Sequence, residues 1–283
     1  YRDSIQFLWD QTVRWTNRGA TGPELAHRIH LPTMYGEDWL TQQHYGLAEH
    51  HVRQIRAGLF GFFDGDPVGL LPLDASDEAG RMISAMGGEE KVRTLCVEAL
   101  AGSDNDCRWA LSLAGRLARR PGSTQQDQRL LADALRTAAR RTTSANVRNW
   151  CLTRALDLDG TIDMSRLRTH RFSRRQVGRW SLDAAVSVLR VLVEPDRLAG
   201  VDLHLAVVLD GERTGVHFRN HIACPTDGLD AEAVLTGSRN VWDQILTGSG
   251  DIRGAVDSGD LLVEGDTARV FQALAAIDHP GFE

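Results

Sequence analysis

The spacing of apolar residues predicts that the first 156 residues are helical. Apolar side chains recur every three or four positions in successive stretches, which is the period of one buried helical face. The predicted helices cover residues 1–17, 21–30, 47–63, 76–86, 89–101, 106–119, 126–141 and 144–156. Two helix starts carry the S/T-x-x-E/Q capping pattern, at Thr21 with Glu24 and at Ser123 with Gln126.

The last hundred residues predict a small sheet with helices. A helix over 182–193 precedes a β-hairpin, in which Asp202–Leu209 and Thr214–Cys224 are joined by the Asp210-Gly211 turn. Strands at 233–235 and 261–263 and helices over 238–246, 252–256 and 267–277 complete helices over one antiparallel sheet. The expected fold class is α+β: an all-α domain (1–156) of tetratricopeptide-like helical hairpins that would suit dimerisation, a linker (157–180) and an α+β domain (181–283).

The predicted linker is rich in arginine and has little hydrophobic period. Its arginines are Arg166, Arg168, Arg171, Arg174, Arg175 and Arg179. Such a run either binds an anionic surface or is a solvated connector between domains, and we favour the connector.

Composition excludes few classes of protein. The chain is 42% hydrophobic and 25% charged, with a net charge of −6, which is ordinary for a globular protein and argues against a nucleic-acid partner. The four cysteines form no C-x-x-C pair, so buried free thiols are expected. No apolar run reaches the ~18 residues of a membrane span. With no signal-like start visible at Tyr1, a cytoplasmic location is slightly favoured, and the missing initiator Met suggests that further sequence precedes Tyr1.

The stretch from Tyr35 to Leu73 contains three histidines, His44, His50 and His51. We call residues 44–51 the histidine corner. Helical spacing predicts one buried face from Leu47 onward, made of Val52, Ile55, Leu59 and Phe62 or Phe63.

Two interpretations of the histidine corner follow from its place at a helix start. The unpaired backbone N–H groups of a helix N-terminus favour an anionic ligand. Alternatively, the histidines are structural and satisfied by local hydrogen bonds. A metal site at His44 and His51 is less favoured, because no third ligand lies near them in the sequence.

Several motifs resemble those of the alkylsulfatase family. They are H-Y-G at His44, H-H-V-R at His50, the run L-F-G-F-F-D-G-D-P ending at Pro67, L-L-P-L up to Leu73, L-L-A-D-A-L at 130–135, Arg148-Asn149 and G-D-L-L-V-E-G-D at 259–266. In that family a metallo-β-lactamase domain precedes an all-helical dimerisation domain and a sterol-carrier-like domain. The H-x-H-x-D-H run of its zinc site does not occur in this sequence. The chain therefore resembles the back half of an alkylsulfatase.

The resemblance implies a role for each residue of the histidine corner. His44 and His50 would be catalytic, stabilising negative charge on a sulfate ester, while Tyr45, His51 and Arg56 would bind the substrate. His51 stands where relatives carry asparagine and Arg56 where many carry tyrosine, so altered substrate contacts are expected.

The resemblance also implies cofactors and partners. It implies no metal ligand in this chain but two zinc ions in the complete enzyme. The expected partners are a second copy of the chain, a metallo-β-lactamase-type catalytic domain or subunit, and a small alkyl or sulfate-ester substrate.

Two functional hypotheses remain open at this point. In the first, the chain is the dimerisation and substrate-capping half of an alkylsulfatase-like zinc hydrolase, which predicts an exposed apolar surface around Tyr1 and the histidine corner. In the second, it is a dimeric binding module without catalysis, which holds a lipid-like ligand in an apolar tunnel of its C-terminal domain.

Overall fold

The chain divides into two compact units, residues 1–163 and 164–283. The computed structural model describes residues 1–167 and 172–283. Arg168 and Arg171 of the predicted linker, and the side chain of Arg166, lie outside this description. Helices followed by a small sheet confirm the α+β class. The predicted domain boundaries and the tetratricopeptide-like detail stay predictions.

The first unit contains nine helices within the described residues. They are α1 (Arg2–Thr16), α2 (Gly22–Arg28), α3 (Thr33–Glu37), α4 (Ala48–Phe60), α5 (Ala75–Ala85), α6 (Glu89–Leu100), α7 (Asp104–Arg119), α8 (Gln125–Arg141) and α9 (Ala145–Leu158). Leu8, Leu25 and Val52 join α1, α2 and α4 in one apolar cluster. A second cluster joins α5 to α8 around Ile83 and Leu113.

The capping signals identify one helix start and miss another by one residue. Thr21 and Glu24 form the predicted capping box at α2. At α8 the box consists of Thr124 and Asp127 instead of Ser123 and Gln126. Asp127 is completely buried and receives bidentate hydrogen bonds from Arg93, at 2.8 and 3.1 Å, so this cap also ties α8 to α6.

The predicted buried face of α4 is correct only in its first half. Val52 is completely buried, but Leu59 and Phe63 are exposed and Phe62 is 91% exposed. The helix ends at Phe60, because Gly61 adopts a φ of 76° that few other residues tolerate. The apolar run beyond it leaves the helical core.

The second unit is a five-stranded sheet with short helices. Its helices are α10 (Arg174–Val177), α11 (Leu182–Ser187), α12 (Arg239–Thr247), α13 (Ile252–Asp257) and α14 (Thr267–Leu274), and its strands are β1 (Leu203–Leu209), β2 (Glu212–Arg219), β3 (Ile222–Thr226), β4 (Ala233–Gly237) and β5 (Leu261–Glu264). The strand order is β3-β2-β1-β4-β5. Strand β1 pairs parallel with β4, so the sheet is mixed and the expectation of a purely antiparallel sheet is wrong.

Two predicted elements of the second unit are divided. The strand predicted from Thr214 to Cys224 is interrupted at Asn220 and His221, which both have positive φ angles and form a tight turn between β2 and β3. The helix predicted over 182–193 ends at Ser187 and continues as a 3-10 turn, Val188–Val191.

Large side chains fill the core of the second unit. Trp242, Phe218 and Phe282 are each less than 2% exposed, and the rings of Trp242 and Phe282 meet edge to face at 5.7 Å. The apolar tunnel expected from the sequence stays a prediction. None of the described helices has the length and apolar character required to cross a membrane.

Candidate functional site

A short loop precedes helix α4, and Gln43, next to the histidine corner, caps the helix. Leu47 precedes the helix and offers no side-chain cap. Instead, the Oε1 atom of Gln43 accepts a hydrogen bond of 2.6 Å from the backbone N–H of Ala48. This bond satisfies one of the unpaired N–H groups of the helix start. His44, Tyr45 and Gly46 are thereby held between Gln43 and the helix.

Three hydrogen bonds fasten this loop to the start of α9. The hydroxyl of Thr143 donates to the carbonyl oxygen of Gln43 at 3.0 Å. The backbone N–H of Ala145 donates to the carbonyl of His44, and the hydroxyl of Ser144 donates to the carbonyl of Tyr45, both at 2.7 Å. Ser144 is completely buried. The backbone of the loop is therefore fixed while its side chains remain available.

The side chains of His44 and Tyr45 lie at the surface. Tyr45 is 75% exposed, and His44 is also exposed. The imidazole of His44 packs at a tilt against the ring of Trp39, with 5.7 Å between ring centroids. An imidazole in this setting can donate a hydrogen bond to an oxyanion that approaches from outside.

His51 packs back onto the loop. A Cβ atom placed on Gly46 would lie 2.5 Å from the Nε2 atom of His51. A side chain at position 46 would therefore require the imidazole of His51 to move, whereas the backbone φ angle of Gly46 lies outside the left-handed region and does not itself call for glycine. The H-Y-G motif and His51 thus form one packed feature.

His50 lies beside an ion pair on the other side of the helix start. Its Nε2 atom is 3.9 Å from Oε1 of Glu49, and Glu49 pairs with Arg108 of α7 at 3.0 Å. Burial lowers the pKa of His50, and the Glu49 carboxylate offsets only part of this effect. For Glu49, burial is the largest single effect and raises the carboxyl pKa, but the hydrogen bond from Arg108 and the attraction of the nearby positive charges together outweigh it and hold the pKa below its usual value. His50 is therefore neutral near pH 7 and Glu49 is charged.

His50 and the ion pair line a cavity of about 600 Å³ within the first unit. Residues of α2, α4, α7, α8 and α9 form its walls, including His27, Cys107 and Cys151. His44, Tyr45 and His51 are not among the lining residues. The structure thus places His50 on a cavity, and His44, Tyr45 and His51 at the surface.

Arg56 is a structural residue in its present contacts. It is 8% exposed, and its guanidinium donates hydrogen bonds to the carbonyl oxygens of Ala20, at 3.3 Å, and Phe63, at 3.1 Å. It also lies over the ring of Phe60, 5.6 Å from its centroid. These contacts use its donors on the protein itself, and its predicted contact with substrate stays untested.

Sequence reasoning missed the partners that support the corner. Glu49, Arg108, Thr143 and Ser144 contribute contacts across 59 to 100 positions of the chain. No local pattern marks such pairs; only Ser144, as a typical N-cap residue before α9, carries a sequence signal. In residues 1–167 and 172–283, no three His, Cys, Asp or Glu side chains are arranged to hold a metal ion.

Exposed apolar side chains precede the histidine corner in the chain. Met34, Trp39 and Leu40 are each more than 60% exposed, and the ring of Trp39 packs against His44. Tyr1, the N-cap of α1, and Ile5 and Trp9 on that helix are exposed at helical spacing. An exposed apolar surface around Tyr1 and the corner is what the first hypothesis predicts.

Known proteins resemble this chain over its whole length. The linear primary-alkylsulfatase of Pseudomonas sp. is 29% identical over 98% of this chain and 54% of its own length. The alkyl/aryl-sulfatase of Saccharomyces cerevisiae is 23% identical over 98% of this chain and 43% of its own length. The chain thus spans about half the length of these curated relatives.

A solved structure shares the fold. The stereoselective inverting sec-alkylsulfatase of Pseudomonas sp. superposes with a TM-score of 0.80 at 23% identity, over 100% of this chain and 45% of that protein. Residues 21–161 match the family described as alkyl sulfatase dimerisation. The chain therefore carries an alkyl sulfatase dimerisation domain and corresponds to the C-terminal half of an alkylsulfatase.

Proposed function

We propose that this chain is the dimerisation and substrate-capping half of an alkylsulfatase-like zinc hydrolase. It would form a homodimer, and a metallo-β-lactamase-type part outside residues 1–283 would hold two zinc ions. The match to the dimerisation family and the half-length coverage of the relatives support this proposal. In this arrangement the role of this chain is to bind and orient the ester.

The observation that carries the proposal is the fixed, outward-facing pair His44 and Tyr45. Two hydrogen bonds hold their backbone and a third holds that of Gln43, and both side chains are exposed beside apolar residues. An alkyl sulfate has an apolar chain and an anionic head, so this surface complements both parts of the substrate. The imidazole and phenol would donate to sulfate oxygens, where preorganised donors stabilise the charge that develops as the ester breaks.

His50 would contribute through its neutral imidazole. A neutral imidazole carries one N–H donor and one acceptor nitrogen, so it can accept a proton near pH 7. The neighbouring Glu49 would orient it. His50 lies on the cavity side of the helix start. For a substrate bound at the surface, its role would therefore be to position neighbouring groups.

Sulfate release from a primary alkyl sulfate tests the proposal. The protein is assayed in the full form that its gene encodes, as wild type, His44→Ala and the matched control His221→Ala, an exposed histidine of the second unit. Loss of one oxyanion donor is expected to lower kcat about 100-fold in His44→Ala. The His221→Ala variant should keep wild-type turnover.

Assembly must be measured on the same samples. The His44→Ala variant should have the oligomeric mass of the wild type, because His44 uses its carbonyl and not its side chain to hold α9. Unchanged turnover in His44→Ala would refute the assignment of this residue, and absence of sulfate release from the wild type would refute the proposed activity.

A further inference from the structure

An exposed apolar segment leaves the end of α4. It comprises residues 59–73, and we call it the apolar arm. Its eight large apolar side chains are exposed: Leu59, Phe60, Phe62, Phe63, Val68, Leu70, Leu71 and Leu73. Phe62 and Leu71 are 91% and 90% exposed. Such a concentration of exposed apolar side chains in fifteen residues requires a cover.

The apolar arm has a defined shape because its polar groups are satisfied locally. Arg56 holds the base of the arm through the carbonyl of Phe63. The carboxylate of Asp64 accepts from the N–H of Asp66, and that of Asp66 accepts from the N–H of Val68, both at 3.0 Å. The only two charges of the arm thus shape its turns, and its apolar side chains point away from the chain's own core.

The size of the arm's surface fits a protein partner. A whole aromatic side chain presents roughly 150–250 Å². Three of the eight side chains are aromatic, and at their partial exposure the eight together present on the order of 800 Å². This is about the area that each partner contributes to a standard interface, ~800 Å².

We infer that the apolar arm is the surface on which a second copy of this chain docks. The inference rests on the proposed function and names the contact that makes the dimer. The arm lies wholly within residues 21–161, which match the dimerisation family, whereas the exposed apolar face of Tyr1, Ile5 and Trp9 lies outside that range. The dimerisation match thus includes the arm and not the face of Tyr1, Ile5 and Trp9, so we assign the second copy to the arm.

Arg56 becomes a positioning residue in this arrangement. Its guanidinium joins Ala20, on the body of the unit, to Phe63, in the arm. Both acceptors are backbone oxygens, so the pairing does not depend on the identity of the arm's side chains. Arg56→Lys would keep a charge but lose the two separate donors, which would free the base of the arm and weaken the dimer.

The dimer dissociation constant of the full chain tests the inference. The arm variant Phe62→Ser/Leu71→Ser is compared with Ile222→Ser/Leu262→Ser, which removes two exposed apolar side chains of the second unit. Sedimentation equilibrium should show a Kd at least ~100-fold weaker for the arm variant, since truncating two buried interface anchors costs about tenfold or more each. The control should stay within about twofold of the wild type. Circular dichroism confirms that both variants are folded.

The outcomes separate this inference from the proposed function. A dimeric wild type whose arm variant keeps its Kd would overturn the arm as the contact and leave the proposed dimer standing. A wild type that stays monomeric at all concentrations would overturn both. An arm variant that stays dimeric but loses alkyl sulfate hydrolysis would show that the arm meets the catalytic part instead, which also overturns the inference.

Discussion

The hydroxyl of Ser144 donates a hydrogen bond of 2.7 Å to the carbonyl oxygen of Tyr45, which lies 99 positions earlier in the chain. The hydroxyl oxygen of Ser144 also accepts a hydrogen bond from the N–H of Val147 at 3.3 Å and so caps helix α9. One buried side chain therefore starts a helix and fixes the loop that presents His44 and Tyr45. The geometry of the candidate site depends on the packing of α9.

Replacing Ser144 by alanine should destabilise the first unit. The variant loses an N-cap, at about 0.5–2 kcal/mol, and a buried hydrogen bond, at about 1 kcal/mol. We expect the free energy of unfolding to fall by about 1–3 kcal/mol in urea. The NMR signals of His44 should shift as the loop loosens.

Thr143→Val is the matched control for Ser144→Ala. It removes a neighbouring bond of the same loop, from the Thr143 hydroxyl to Gln43, but at an exposed position and without loss of a cap. Its cost should be about 0.5 kcal/mol. Equal costs for the two variants would show that Ser144 has no special place in the structure.

Gly46→Ala should be harmful only while His51 is present. The added Cβ would approach Nε2 of His51 to 2.5 Å, so the imidazole must move. We expect a loss of about 1–2 kcal/mol in the wild type. In a His51→Ala background the same change should be neutral or stabilising by up to ~1 kcal/mol, because alanine restricts the unfolded chain.

A double-mutant cycle of unfolding free energies measures this coupling. The four proteins are the wild type, the two single variants and the double variant. A coupling energy of at least ~0.5 kcal/mol is expected for residues in contact. Additive effects would mean that His51 does not pack on Gly46 in solution.

Local patterns were sufficient to predict most helices of the first unit. The period of apolar residues and the caps place α1, α2 and α5 to α9 within a few residues of their observed ends. Such signals depend on residues that are close together in the sequence, so they can be recognised without knowledge of the fold. The short helix α3 has no such pattern and was missed.

The helical period of apolar residues gave a wrong prediction at the end of α4, where the apolar side chains no longer pack against the core. Leu59 and Phe62 continue the helical spacing of Val52, yet they are exposed. Arg56, which lies between Val52 and Leu59 in the sequence, is buried instead. Periodicity indicates that one face of a helix is apolar, but it does not indicate whether that face packs against the same chain. Likewise, Ser144 and Tyr45 meet across 99 positions, and no local pattern encodes that distance. The shape of the histidine corner could therefore not be predicted, although its residues could be selected.

Removing the Glu49 carboxylate should lower the pKa of His50 further. Burial already depresses this pKa, and Glu49 opposes that effect by stabilising the imidazolium form. In Glu49→Gln the opposing charge is lost, while Arg108 loses its partner and disfavours a second positive charge. We expect His50 to titrate at a lower pH than in the wild type, and the NMR shifts of its ring protons measure this titration.

Glu90→Gln serves as the control for this titration. Glu90 pairs with Arg93 on α6 and is not among the charges that act on His50. Its removal should leave the His50 titration in place. A rise or no change of the His50 pKa in Glu49→Gln would contradict the electrostatic account of the cavity.

The buried carboxylate of Asp127 should make the first unit sensitive to acid. Burial alone would raise its pKa, but hydrogen bonds from Arg93 and Thr124 outweigh burial and lower the pKa to about 2. In the unfolded chain the value is about 3.9. Since the folded pKa is the lower one, the stabilisation is complete above about pH 4 and is lost as the pH falls towards 2. The loss should be on the order of 2 kcal/mol, measured as the urea unfolding free energy at pH 7, 4, 3 and 2.

Asp127→Asn should remove this part of the pH dependence and also weaken the unit at neutral pH. Without the carboxylate, the largely buried guanidinium groups of Arg93 and Arg120 lose their buried counter-charge and keep only the more exposed carboxylates of Glu90 and Glu89, which costs up to about 3–5 kcal/mol. Asp133→Asn lies on the same helix but removes a mostly exposed carboxylate. It should change neither the acid-dependent loss of stability nor the unfolding free energy at pH 7 by more than ~0.5 kcal/mol. If Asp127→Asn kept the full acid sensitivity of the wild type, another carboxylate would be responsible. If it were as stable as the wild type at pH 7, the ion pairs of Asp127 with Arg93 and Arg120 would contribute nothing to the fold, because Asp127 is the buried carboxylate that both arginines share.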